Sequence, residues 1–226
     1  MTDDSAMILE TKLKAVRRKI VGVGVWGTLR LILDHTIGRI LHREYLLFYA
    51  NLSAHSLDAA SLNRDVVGKE VRAFEDMASK EIESLREYAG EAYIQEARTR
   101  LEKSWILFLA CLDGEVAGGG WVIDCHSELK AKVVPLVEGD IVLLDYFTYP
   151  AYRGKNVYPS LLASILTRFR ERNAVRAFIS AHERNVASIR GIEKVGFRHC
   201  LNYEVWSRGM NEFVMWKRVV KEAPKG

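Results

Sequence analysis

The stretch PAYRGKNVYPS, residues 150 to 160, sets an arginine, a glycine and a lysine at a turn, just ahead of an apolar run with helical spacing. That arrangement suits phosphate. The first N–H groups of a helix have no internal partner, and the helix dipole leaves that end partly positive. An anion placed there receives backbone hydrogen bonds, while Arg153 and Lys155 add charge and Gly154 lets the backbone come close. Where a second glycine would help most, the chain has Asn156. Asn tolerates a left-handed backbone better than most residues and keeps its N–H. The turn is therefore expected to grip an anion with less clearance than a two-glycine loop. The plainer alternative is a surface turn with two solvated cations.

Other chemistry-bearing patterns are weaker. GVGVWG, residues 22 to 27, fits the spacing of a dinucleotide-binding loop. That spacing has force only after a buried strand and with an acid at the end of the next strand. VRRKI precedes it, and Glu44 begins the following strand, so a flexible point in a basic segment is the better reading. Cys111, Cys125 and Cys200 are odd in number and lack metal-type spacing, which favours reduced thiols; no metal site is expected. Asp145 is an acid inside the apolar run VLLDYF, where a carboxylate needs a partner or a task.

The elements that would position these residues follow from periodicity. EYLLFYANL (44 to 52) reads as a strand. Residues 65 to 104 read as one helix or two, with Val67, Val71, Phe74, Ala78, Ile82 and Leu85 as the apolar stripe and a break near Gly90. WILFLACL and VAGGGWVID form a hairpin across DGE. A strand at 141 to 149 runs into the opening turn, and a helix follows it, with Leu161, Leu162, Ile165, Leu166 and Phe169 inward. A strand at 175 to 182 leads to a short helix capped by Asn185 and stopped by Gly196. Two strand-like runs end the chain. This order implies an α/β fold with a central mixed sheet flanked by helices.

The composition is that of an ordinary globular chain: 226 residues, 49% hydrophobic, 27% charged, with a formal net charge of +4. No basic stripe interleaved with aromatics appears, so nucleic acid is not an expected partner. The longest uncharged apolar run, 20 to 29, is far short of the roughly 20 residues of a spanning helix, and no secretory signal is visible. Residues 12 to 43 carry eight Lys or Arg against one acid, Asp34, with apolar residues at helical spacing. Residues 1–42 are read as a basic amphipathic arm before a domain at 43–226. The arm lies on an anionic membrane surface or packs on protein. A cytoplasmic protein, peripheral at the inner membrane if the first holds, is the expectation; a homodimer is left open.

Two segments together are more specific. YPAYRGKNVYPSLL, and FISAHERNVASIRGIEKVGFR with Asn185, Ser188, Lys194, Gly196 and Phe197, resemble the two signature segments of the GNAT acetyltransferase superfamily. The resemblance implies a mostly antiparallel sheet split between its fourth and fifth strands, here 141 to 149 and 175 to 182, with acetyl-CoA in the gap. Phe147 and Thr148 would bond the pantetheine through their backbone. Arg153, Gly154, Lys155, Asn156, Val157 and Tyr158 would hold the pyrophosphate, with Asn185 and Ser188 beside the pantetheine arm. An acetyl group would pass to a small-molecule amine by direct attack. The arm is also similar to those preceding such domains in some bacterial surface-polysaccharide gene products, which points to an amino sugar. The family's frequent general-acid tyrosine aligns with Ile192, so that role is empty or supplied elsewhere; Tyr203 or Tyr158 could serve, though either reads equally as packing or a wall of the cleft. The catalytic candidates are Asp145, His182 and Tyr203, with Glu183 and Asp124 behind them. An acyl carrier protein as donor, or a CoA-binding module without turnover, are the alternatives.

Overall fold

The computed structural model describes residues 40–53, 62–124, 136–208 and 211–219. The arm up to residue 39, the glycine motif at 22 to 27 and Cys125 lie outside the described residues. The chain divides into two compact units, 1–43 with 205–215, and 44–204 with 216–226. The core and the cleft belong to the second.

Eight strands form one sheet: β1 (Ile40–Asn51), β2 (Val67–Val71), β3 (Ile106–Leu112), β4 (Glu115–Asp124), β5 (Asp140–Thr148), β6 (Arg176–His182), β7 (Arg198–Arg208) and β8 (Asn211–Val219). Four helices accompany them: α1 (Ser79–Ala89), α2 (Glu91–Glu102), α3 (Val157–Glu171) and α4 (Val186–Lys194). The sheet order is β2-β3-β4-β5-β6-β1-β7-β8. β5 and β6 run parallel, while the β1–β6, β2–β3, β3–β4 and β4–β5 pairs are antiparallel. The mixed, mostly antiparallel sheet flanked by helices agrees with the sequence reading.

Local chemistry accounts for most of these elements. Asp113 (φ 55°) and Gly114 (φ 79°) both take the left-handed conformation that a two-residue hairpin turn requires. β3 reads ILFLACL without polar interruption because both its faces are covered. On one face, Phe48, Phe108, Val122, Ile141, Leu143 and Ile179 pack under Leu161, Leu162, Ile165 and Phe169 of α3 and Ile192 of α4. On the other, Leu107, Leu109 and Trp121 pack under Leu85 of α1 and Ile94 and Leu101 of α2. Burying each such aliphatic or aromatic side chain stabilises the fold by about 1.5–3 kcal/mol. Gly90, at φ 84°, ends α1 and starts α2, the expected break.

One placement differs from the sequence reading. Residues 67 to 71 are the strand β2, not helix, and Phe74 lies in a short 3-10 turn, Phe74–Asp76. Val67 and Val71 are four apart, a spacing that shares a face in a helix and in a strand alike. Pairing with β3, from Val67↔Cys111 to Val71↔Leu107, decides for the strand, and Gly68 lies so close on α3 that a Cβ there would stand 2.6 Å from Ser164 Oγ. β1, first in sequence, is sixth in the sheet, paired with β6 from Tyr45↔His182 to Asn51↔Arg176.

β2 is fastened to α3 by charge. Glu70 accepts from Arg168 (3.0 Å), from Arg172 (2.9 Å to each oxygen) and from Arg72 (2.6 Å). Burial pushes its carboxyl up, but the bonds from Arg172, Arg168 and Arg72 outweigh it and hold the pKa at about 2, against an ordinary 4.5. A carboxyl depressed by folding stabilises the native state above its unfolded value and loses that contribution as pH falls towards its folded value. Denaturant unfolding at several pH values should therefore show Glu70→Gln about 1–3 kcal/mol less stable than wild type above pH ~5. The difference should shrink between pH ~4.5 and ~2.

Candidate functional site

β5 and β6 pair from Asp140↔Arg176 to Leu143↔Ile179 and no further. β6 continues to His182 and β5 to Thr148, so the strands part into a V. The closed end is pinned by Asp140, whose fully buried side chain receives Arg176 Nε at 2.7 Å and Arg176 Nη2 at 2.5 Å. The open end follows from β4. Along the β4–β5 ladder, Trp121 faces Leu144 and Gly119 faces Phe147, so β5 spends an extra residue. This is a β-bulge. Asp145 occupies it at φ 51°. Beyond the bulge β5 lies close on β4: a Cβ on Gly118 would stand 2.4 Å from the carbonyl oxygen of Phe147, and one on Gly120 2.3 Å from the ring of Tyr146. The GGG of β4 thus gives β5 room to lean away from β6.

The turn after β5 has the form the sequence implied. A 3-10 turn, Pro150–Tyr152, precedes Gly154 at φ 77° and Asn156 at φ 57°, ψ 22°. Asn156 is the N-cap of α3 in left-handed conformation, and its side chain does not cap the helix. Instead its Oδ1 accepts from Lys194 Nζ of α4 at 3.0 Å. The N–H groups opening α3 are thus left without a side-chain cap. Asn63 braces the turn from outside, donating Nδ2–H to the Lys155 carbonyl at 3.0 Å while its own N–H bonds Ser160 Oγ at 2.8 Å. On the facing wall Asn185 caps α4, accepting from Ser188 N–H at 3.1 Å. Ser188 Oγ donates to Tyr158 Oη at 3.3 Å. Burial pushes the Tyr158 hydroxyl up to about 12, with the Ser188 bond pulling the other way. The ring lies so close on α4 that a Cβ on Gly191 would meet it at 2.6 Å.

These walls enclose a cavity of about 730 Å³. Phe147, Thr148, Arg153, Gly154, Asn156, Val157, Tyr158, Asn185 and Ser188 line it. Lys155 does not; its Nζ sits 5.2 Å from the centroid of the Tyr152 ring. Arg153, Arg190 and Lys194 make the lining positive, and no Asp or Glu stands among its described residues. The sequence reading did not assign Tyr88, Tyr146, Arg190 or Lys194 to the site. Lys194 was visible inside the second motif, whereas Tyr88 had no signal, because the face that α1 turns inward is a tertiary fact. Tyr88 stacks on Phe147 (centroids 5.0 Å apart) and Tyr149 (4.5 Å).

The catalytic candidates do not converge. Asp145 is ion-paired to Arg100 of α2 at 2.7 Å. His182 ends β6 on the open limb of the V, and its Nδ1 accepts from the Arg184 N–H at 3.1 Å. A neutral ring so bonded carries its proton on Nε2. Tyr203 is buried, its ring stacked on Tyr45 of β1 at 5.3 Å, and Tyr45 meets the His182 ring edge-on at 5.6 Å. Burial raises the Tyr203 hydroxyl, while a bond with Ser180 lowers it. Glu183 is ion-paired with Arg184 at 3.6 Å. Asp124 faces Ile141, at the closed end of the V and away from the gap. Ile192 is fully buried in the core. Among the described residues, no cluster of three or more His, Cys, Asp or Glu could hold a metal, and no helix is long and apolar enough to cross a membrane.

The family model for GNAT acetyltransferases matches residues 71–197. The chain belongs to the GNAT acetyltransferase family. Among solved structures, it is similar to a glucosamine N-acetyltransferase region in a fungal multi-domain β-N-acetylglucosaminidase (TM-score 0.56, 10% identity, 84% of this chain and 23% of that one). It is also similar to a functionally unknown protein from Staphylococcus epidermidis (TM-score 0.50, 14% identity, 79% and 66%). A Drosophila protein gives TM-score 0.50 at 12% identity, over 80% and 56%. The matches therefore span less than two thirds of those relatives' own length, and at these identities they bear on fold alone. No curated protein matches the chain.

The left-handed N-cap yields a test. Asn156→Ala places an ordinary side chain at φ 57° and removes the Lys194 bond, so thermal unfolding should show a loss of about 1–2 kcal/mol. Asn156→Gly relieves the backbone and should lie within about 1 kcal/mol of wild type.

Proposed function

We propose that the protein is an N-acetyltransferase that uses acetyl-CoA and acylates a small-molecule amine, with an amino sugar as the favoured acceptor. The observation that carries the donor assignment is the parting of β5 from β6 beyond Leu143 and Ile179, directly above the turn at 153–158. Acetyl-CoA would supply an acyl group already activated as a thioester. The cavity fits such a molecule: it is bounded by β5 past the point where the pairing with β6 ends, positive where a pyrophosphate would lie, and free of lining carboxylates among the described residues.

Each wall has a task on this reading. The β6-facing edge of Phe147 and Thr148 has no strand partner, so its backbone groups can pair with an extended, amide-bearing chain as a neighbouring strand would. The backbone from Gly154 to Tyr158 and the side chain of Arg153 hold the pyrophosphate by charge-assisted bonds. Lys155 adds charge from outside the lining. Asn185 and Ser188 hold the α4 wall at the pantetheine. On the opposite side, Tyr88, 41% exposed and stacked on Phe147, offers a flat face against which the apolar side of a pyranose packs. The fungal glucosamine N-acetyltransferase region is similar in fold, which favours this acceptor class. His182 presents an Nε2–H donor on the open limb of the V, fit to orient an oxygen of acceptor or acyl group.

Titration calorimetry with CoA and acetyl-CoA tests the reading. Binding in the micromolar range is expected, and Arg153→Glu should weaken it at least 100-fold while leaving the melting temperature unchanged. No heat of binding at millimolar ligand would remove the proposal. Glucosamine, added with acetyl-CoA and followed by release of free thiol, probes the acceptor class.

A further inference from the structure

Asp145 stands among the general-base candidates, yet the structure commits it elsewhere. It is a non-glycine residue at φ 51°, in the bulge where β5 gains a residue on β4. Asp is among the few side chains that take that conformation readily. Its carboxylate, 59% exposed, is tied to α2: Arg100 Nη1 lies 2.7 Å from Asp145 Oδ2. Arg100 is itself held. Its Nη2 bonds Glu96 at 2.5 Å, and its guanidinium lies 4.9 Å from the Trp105 ring centroid and 5.2 Å from that of Trp121. Trp121 is fully buried and faces Leu144, the residue just before the bulge. One arginine thus joins α2, the last regular pair of the β4–β5 ladder and the first irregular residue.

The bulge decides what the rest of β5 presents. An added residue turns every later side chain to the opposite face. With it in place, Tyr146 packs on the α3 side and Phe147 on the α1–α2 side, and the β5 edge at 147 and 148 faces the gap. We infer that Asp145 is a positioning residue: its ion pair with Arg100 clamps the β5 bulge and so sets the β5–β6 gap, and it does not serve as the base. This goes beyond the proposed function but rests on it for the ligand used in the first test.

The test compares Asp145→Ala, Asp145→Gly, Arg100→Ala and the Asp145→Ala/Arg100→Ala double variant. A clamp predicts CoA affinity about 5–10-fold weaker in each Ala variant by calorimetry, with the double variant no weaker than the worse single one. Asp145→Gly should recover part of the loss, since glycine takes φ 51° freely. A base acts on the acceptor and has no bearing on CoA binding, so unchanged affinity in Asp145→Ala and Arg100→Ala would overturn the inference. Hydrogen exchange of the amides at 146–148 reads the clamp without any ligand. Exchange should quicken in both Ala variants, and unchanged protection likewise overturns it. If the wild type fails to bind CoA while exchange quickens as expected, the donor assignment fails and the clamp stands.

Discussion

The bidentate pair of Asp140 with Arg176 stands at the start of the parallel junction between β5 and β6, and the geometry of the cleft is built outward from it. A buried carboxylate is expensive unless its charge is matched and its oxygens are bonded. Here both oxygens are used, and Asp140 Oδ2 also accepts the N–H of Val137 at 2.9 Å. The strands are therefore held in register at one end and released at the other. Parallel strands normally stay paired because their unpaired backbone groups would be costly. Parting them is affordable only where something else satisfies β5. β4 does so on one edge, through a ladder that continues to Thr148 by way of the bulge.

Left-handed backbone is used at both critical corners, each time with a short polar side chain in place of glycine. Asp145 at the bulge and Asn156 at the head of α3 share nearly the same φ, 51° and 57°. Each is tied to a cation from a neighbouring helix, Arg100 of α2 and Lys194 of α4. A glycine would reach the same conformation with less strain, but it would leave the corner free to move. The Asn156–Lys194 bond also joins the two sequence segments that carry the family likeness, α3's head to α4's tail. The departure from a second glycine thus exchanges clearance for a fixed corner.

Much of this was legible from the chain alone. The Asp-Gly hairpin, the amphipathic face of α3, the Asn185 cap and the cationic turn each depend on residues within a few positions of one another, which is the range over which sequence patterns carry physical force. What was not legible is non-local. Val67 and Val71 satisfy both helical and strand spacing, and it is the ladder with β3, from Val67↔Cys111 to Val71↔Leu107, that makes the segment a strand. β1 reads as a strand by composition, yet nothing within it says that it pairs with β6 in the middle of the sheet. Asp145 was visible as an anomaly, but its partner Arg100 lies 45 positions earlier on a polar helix face where charged residues ordinarily signify nothing.

On the proposed reading, the acceptor side gains from β1's position. β6 alternates Ala177, Ile179 and Ala181 into the core shared with α3 and α4, so Ser180 and His182 face the other way. On that face β1 brings Tyr45 against His182, and Tyr203 stacks behind it. β1 lies outside the segment matched to the family, 71–197. These rings hold His182 by contact while the Arg184 N–H fixes the tautomer. A histidine fixed in this way donates from Nε2 rather than accepting there. On the proposed reading such a donor suits an oxygen neighbouring the reacting amine, and an amino sugar carries hydroxyls on the carbons flanking its nitrogen-bearing carbon. Recognition of the acceptor would then rest on a strand that the two signature segments do not contain.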